Sequence, residues 1–328
     1  MKLRRRLLIL IPLLLLAALV GLCFGSVPLS ASQLAAAFLG EGDTGVRTVL
    51  WQLRLPRVVA GLLAGMGLSV AGMLLQAVTG NELASPNIIG INSGAGLAVI
   101  LLLTVFPMAG KWLPLGAFVG AFGAALLILA AAGRMGGSKT EILLIGIAVT
   151  TVLSAVISFL SLLDEGVLAQ YNHFTVGSLK GIRMEQLLVP GVIVLLAFAG
   201  AVLISTRLNV LCLGDAAASA LGVRVKGLRI LALALAASCA AAVVSFAGLL
   251  GFVGLVVPHI AKALAGQQPS RGLPVAALCG GIIVLLADLL GRTLFAPSEL
   301  PVGILMSLVG GPYFLILLYR RKHHAGNS

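Results

Sequence analysis

Long apolar runs dominate this chain, separated by short clusters of glycine, proline and charge. The runs lie near residues 7–27, 56–78, 93–106, 112–132, 141–163, 187–206, 227–247, 252–265, 272–292 and 303–319. Most are about as long as the ~20 residues needed to cross a bilayer, so the pattern predicts about ten spans. The runs at 93–106 and 252–265 are short or broken by glycine. Irregular backbone at membrane depth is tolerated only where protein or a water-filled cavity surrounds it. Broken spans therefore point to a packed transporter rather than to separate lipid-exposed anchors. Two stretches between spans carry structure of their own. Residues 28–50 contain "LSASQLAAAFLG", which reads as a short surface helix capped by Ser30 or Ser32. Residues 164–186 form the longest polar link. The expected fold is an all-α polytopic membrane protein, with residues 1–328 as one transmembrane domain.

Composition agrees. Of 328 residues, 60% are hydrophobic and 10% charged, against roughly 25% charged in a soluble domain. Mean hydropathy is +1.14. The net charge of +12 would suggest nucleic acid in a soluble protein. Here the charges sit in links between spans and read as topology, so no nucleic-acid partner is expected. With both termini inside, 15 of the 22 basic residues, Lys2 among them, face the cytoplasm and seven face outward, as the positive-inside rule prefers. The first run mimics a signal peptide, but 7–27 is long enough to span and is expected to remain uncleaved. Cys23, Cys212, Cys239 and Cys279 show no metal or CxxC spacing, and no metal site is expected.

"LCLGDAAASALGVRVKG", residues 211–227, sits between two spans on the inner side. Asp215 suits an N-cap, Ala216 to Leu221 favour helix, and Gly222 suits a stop. Two turns are too short to be stable alone in water. The segment either rests on the membrane surface or docks a cytoplasmic machine. "GRMGGSKT", 133–140, nearly matches a phosphate-binding loop, but Ser138 stands where the second glycine must be. The run before it reads as a span, so an inner turn is expected and no nucleotide site.

Several motifs, in order along the chain, resemble the FecCD family, the permeases of type II ATP-binding-cassette importers for iron-siderophores, haem and cobalamin. They are "LRLPRVVAGLLAGMGLSVAGMLLQ" (53–76), "NELASPNIIGINSGAGL" (81–97), "VGSL" (176–179), "LGDAAASALGV" (213–223), "GLLGFVGLVVPHIAK" (248–262) and "GRTLFAPSELPVGILMSLVGGPYFLILL" (291–318). The chain departs from the family pattern at Gly80-Asn81-Glu82, Phe174, Ala216 and Ala217.

The resemblance implies a pore built from two permease copies, or from this chain and a homologous permease. It also implies two cytoplasmic ATPase subunits that use ATP and magnesium, and an extracytoplasmic solute-binding protein. The coupling segment, about 211–224, would seat on the ATPase through Leu213, Gly214, Asp215, Ala216, Ala217, Ala218, Ser219, Ala220, Leu221 and Gly222. Arg54, Arg57 and Arg292 would receive acidic residues of the binding protein. By chemistry alone they read as snorkelling to headgroups, and only the resemblance favours docking. Charge reversal at Arg57 is then expected to weaken docking and leave the permease folded.

Asp288, the one acid well inside a run, is four residues from Arg292 and reads as its ion-pair partner. His259 reads as structural. No catalytic constellation emerges, so no enzyme activity and no cofactor bound by this chain are expected. The chain is read as the permease of an importer for siderophore-type metal chelates, haem or cobalamin in a bacterial inner membrane. An ion-coupled secondary transporter is the alternative, with Asp288 as its only candidate ion site.

Overall fold

A computed structural model describes residues 3–25, 30–41, 43–87, 90–108, 110–134 and 138–325. Lys2, the end of the first run at Val27, Ile88 and Ile89 of the polar link, and 135–137 of the "GRMGGSKT" turn lie outside the described residues. Among the described residues there are fourteen α-helices and no strand. The helices are α1 (Leu3–Cys23), α2 (Ala31–Phe38), α3 (Thr44–Thr48), α4 (Leu55–Thr79), α5 (Ile91–Val105), α6 (Leu113–Arg134), α7 (Lys139–Ser161), α8 (Glu165–Val176), α9 (Met184–Leu211), α10 (Asp215–Ala220), α11 (Val225–Ala247), α12 (Val253–Ala265), α13 (Pro269–Thr293) and α14 (Val302–Ala325). Each of the ten expected spans has its helix. Seven are long and apolar enough to cross a membrane; α5, α12 and the apolar part of α14 are the shorter three.

Local chemistry explains several boundaries. Ser30 caps α2, its hydroxyl accepting from Gln33 N at 3.2 Å while Gln33 accepts from Ser30 N at 2.9 Å. Ser138 opens α7 in the same way with Glu141. Ser138 to Thr140 of the near-miss phosphate loop thus belong to a helix start, where the Glu141 and Ser138 amides are taken by each other's side chains. The second span begins earlier than its apolar run. α3 continues through a π-helical turn, Val49–Arg54, into α4, giving one 36-residue helix from Thr44 to Thr79. Pro56 has no N–H to donate, and the wide turn just before it absorbs the change in hydrogen-bond register. The polar link contains α8, capped by Asp164, which accepts from the amides of Gly166 and Val167.

α4 is the central helix, packed against α9, α11, α12 and α13. Glycine sets its spacing. A Cβ on Gly65 would lie 2.1 Å from the Gly280 carbonyl oxygen, and one on Gly72 would lie 1.8 Å from that of Gly254. The helix backbones of α4, α13 and α12 therefore touch, as small-residue interfaces allow in membranes. α5 and α6 approach similarly at Gly94 and Gly120.

Gly65→Ala is expected to force α4 from α13 and lower the melting temperature in detergent, at an overpacking cost of about 1–3 kcal/mol. Gly123→Ala, where the new methyl meets nothing within 4 Å, is the matched control and is expected to melt no lower than wild type.

Candidate functional site

The groups singled out in the sequence gather at opposite ends of α4. One end begins at Arg57. At the other, Lys139 lies beside Gly80 and reaches Asp215. The 23-position step from Arg57 to Gly80 spans ~35 Å of helix, about a hydrocarbon core plus its interface.

At the Asp215 end, α10 has the expected length but begins one residue earlier, and its cap differs. Gly214, with φ 108°, is the N-cap, and Asp215 is the first helical residue and caps nothing. Its carboxylate instead accepts from Arg229 Nη2 of α11 at 2.6 Å and lies 3.9 Å from Lys139 Nζ of α7. Arg229 is buried, and a buried guanidinium claims a carboxylate more strongly than two helix amides do. Gly222 ends the segment with φ 78°, and Val223 N donates to Ala218 O. Of the ten residues from 213 to 222, only Ala218 is buried; Leu213 and Leu221 are 69% and 65% exposed. The short helix thus faces outward, anchored by Ala218 and one ion pair that joins it to α11 and, through Lys139, to α7.

The Arg229 hydrogen bond holds the Asp215 carboxyl below its ordinary range; partial burial opposes this and Lys139 adds to it. A depressed acid stabilises the fold above its unfolded pKa, ~3.9. The contribution fades only as pH falls through the lower folded value, so the tie holds throughout the neutral and mildly acidic range.

At the other end the three arginines come together, but not on the surface. Arg54 donates through Nη1 to the carbonyls of Leu22 at 2.5 Å and Cys23 at 2.7 Å. Arg292 Nη2 donates to Gly21 O at 2.7 Å. These are end carbonyls of α1, where the helix dipole is negative. Arg57 Nε donates to both carboxylate oxygens of Asp288 at 3.0 Å, and its Nη1 reaches Glu299 Oε2 at 2.8 Å. Arg292 Nε lies 3.6 Å from Asp288, so the i,i+4 pair is present, second to Arg57. Side-chain exposure is 12% for Arg57 and 4% for Arg292 and Asp288. Snorkelling is thereby excluded. Reversal at Arg57 would place a third carboxylate beside Asp288 and Glu299, so harm to the fold is now the expected outcome. His259 stacks edge-on against Tyr313, with ring centroids 6.4 Å apart. Among the described residues no cluster of three His, Cys, Asp or Glu could hold a metal.

A third feature is an open groove of roughly 500 Å³ between α5, α7 and α8, carrying Asn92, Ser93, Ser154, Ser158, Ser161 and Tyr171. Its serines largely satisfy themselves, Ser158 donating to Ser154 O at 2.9 Å and Ser161 to Ile157 O at 2.8 Å. α7 has only 17% of its apolar window buried, the least of the seven long helices.

Sequence reasoning missed Arg229, Lys139 and Glu299 as partners. Arg57 and Asp288 are 231 positions apart, so no spacing rule could join them. A lone Asp before a short helix followed by a basic cluster did hold the Asp215 signal.

The sequence profile of the FecCD transport family matches residues 13–320. The iron(3+)-hydroxamate import system permease protein FhuG of Bacillus subtilis (strain 168) is 36% identical over 92% of this chain and 92% of its own length. The hemin transport system permease protein HmuU of Yersinia pestis is also 36% identical, over 94% and 95%. The inward-facing structure of a metal-chelate type ABC transporter superposes with a TM-score of 0.87 at 32% identity, covering 97% of this chain and 99% of that one.

Two outcomes follow from the geometry. Arg57→Ala leaves the buried Asp288 with only the longer contact to Arg292 and is expected to cost up to about 3–5 kcal/mol, read as a large fall in melting temperature. Asp215→Asn is expected to leave the bundle helical but speed amide hydrogen exchange across 213–223, because α10 loses its charged tie.

Proposed function

The chain belongs to the FecCD transport family, and on that footing we propose that it passes an iron chelate of the siderophore or haem class through a bacterial inner membrane. It is the permease subunit of an ABC importer, a multi-pass membrane protein that is not itself catalytic. The relatives named for hydroxamate and for hemin are equally similar to it, so cargo is proposed as a class. Two partner ATPases supply ATP hydrolysis with their own magnesium, and both termini face them in the cytoplasm.

The observation that carries the reading is the exposed, ion-paired helix at 213–222. A short helix with nine of its ten residues out of the core is built to lie against something. A seat on an ATPase gives each half of the ATP cycle a rigid handle, tied by Asp215 to α11 and α7. A second permease copy, or a homologous permease, would cover the exposed hydroxyl-bearing face of α7. The passage would then run along that interface, over Ser154 and Ser158.

At the outer end a solute-binding protein would rest on the surface organised by Arg54, Arg57 and Arg292. Since Arg54 and Arg292 are buried and Arg57 is largely enclosed, they would hold that surface in shape more than reach from it. Arg57 and Glu299, at 12% and 16% exposure, are its more accessible charges. The secondary-transport alternative loses its candidate, because Asp288 is neutralised by Arg57 at 3.0 Å.

Proteoliposomes holding the permease, its ATPase and its binding protein are expected to accumulate ferric chelate only with hydrolysable ATP. A cysteine at Ala217 is expected to cross-link to the ATPase. Accumulation driven by an ion gradient without the ATPase would defeat the proposal.

A further inference from the structure

A groove of roughly 610 Å³ opens between the end of α9 and the start of α11. Its walls carry Arg207 and Arg224, three leucines (Leu221, Leu228 and Leu231) and the open backbone at Gly227. No acidic residue lines it. Both arginines are exposed. Neither side chain takes part in an ion pair or hydrogen bond among the described residues. The nearby acid, Asp215, is already taken by Arg229 and Lys139.

Depth distinguishes the possible occupants. α9 has 28 residues, ~42 Å of helix against a hydrocarbon core of ~30 Å. Its last turns therefore project to headgroup level, and Arg207 sits there, one turn beyond Leu203, which is 82% exposed. Leu231 lies seven residues past Arg224, ~10 Å further along α11, and is 46% exposed. The groove thus starts at a cationic mouth in the interface and ends against apolar surface within the membrane. A soluble ATPase can meet the mouth but cannot follow the leucines inward. A free anion would use the arginines and leave the leucines without a role.

We propose that this groove seats an anionic phospholipid, its phosphate held by Arg207 and Arg224 and one acyl chain laid along Leu228 and Leu231. Basic pockets between spans on the cytoplasmic side have the charge and depth for such headgroups, and the guanidinium fork suits phosphate oxygens. Topology alone would call for positive charge on this side, but not for a leucine-lined cleft beneath it.

The test is native mass spectrometry of the delipidated permease–ATPase complex, titrated with phosphatidylglycerol, phosphatidylcholine or inorganic phosphate. Wild type is expected to retain phosphatidylglycerol in preference to phosphatidylcholine, with phosphate failing to displace it. Arg207→Gln/Arg224→Gln is expected to weaken that binding roughly 10- to 30-fold. Gly227→Leu keeps every charge, and its side chain meets nothing within 4 Å at its Cβ. It favours helix and fills the groove, so it is expected to reduce binding while preserving the melting temperature. Arg134→Gln, a neutralisation elsewhere on the same side, is expected to bind lipid as wild type does. Unchanged lipid binding in both groove variants overturns the proposal, and so does displacement by inorganic phosphate. Loss of the ATPase from the arginine variant with lipid retained would assign the groove to the subunit interface instead.

Discussion

The antiparallel register of α4 against α13 is the constraint on which the other contacts depend. Lipid tails are as apolar as leucine, so helices in a bilayer gain little from burying one another; close packing and polar contacts must hold them. Arg57 meets Asp288, Gly65 meets Gly280, and Met73 lies over Gly272. Each step is eight residues along both helices, in opposite directions. A slip of one residue moves the backbones ~1.5 Å. It would break the charge pair, drive a side chain into the glycine contact and unseat the methionine together. That single alignment then positions the rest. α1 is fastened by its end carbonyls to Arg54 and Arg292, and α12 enters where Gly72 leaves room for Gly254.

The two ends of the bundle differ in how firmly they are held. At the Arg57 end three arginines, two carboxylates and the last carbonyls of α1 are joined by ion pairs and hydrogen bonds. Removing Arg57 leaves the buried Asp288 poorly paired, and removing Arg54 or Arg292 leaves carbonyls of α1 without their donors, so this end resists deformation. At the other end α10 is held by Ala218 and by Asp215, whose carboxylate is 49% exposed, and exposed ion pairs are weak. A lever is useful only if it moves more easily than its fulcrum. On the proposed reading, the contrast between a locked cluster at the Arg57 end and a lightly tied α10 would provide that, with Arg229 and Lys139 linking α10 to α11 and α7.

Much of this was legible in the sequence. Span count and order follow from apolar run length alone. The two shortest helices among the ten, α5 and α12, fall on the two runs marked as broken. The glycine contacts were not legible, because Gly65 meets Gly280 and Gly94 meets Gly120 on other helices, and spacing within one helix does not reveal such partners. What stayed hidden was long-range or context-dependent. Proline at 56 reads as a helix start, but a π-turn lets the helix run through. Mixed polarity at 165–176 conceals α8, whose amphipathic surface is set by its neighbours. Asp215 reads as a cap because that rule is local, whereas Arg229, fourteen residues on, outcompetes it. The arginines look exposed because charge at a span end normally is; only the packing of α1 over them reverses that.

The chemistry of the hydroxyl groove bears on what such a passage can select. Ser158 and Ser161 each donate to a carbonyl one turn back, which lets a hydroxyl sit on a helix without an outside partner. Their oxygens remain as acceptors, but few donors are left to grip a cargo. Asn92 is similarly engaged with Asn87. On the proposed reading, a bulky chelate would meet a face wet enough to pass its polar rim and too self-satisfied to hold it. Conduction requires entry without a deep well. Discrimination among chelates then falls to whatever loads the passage, and the permease contributes the route and the gating.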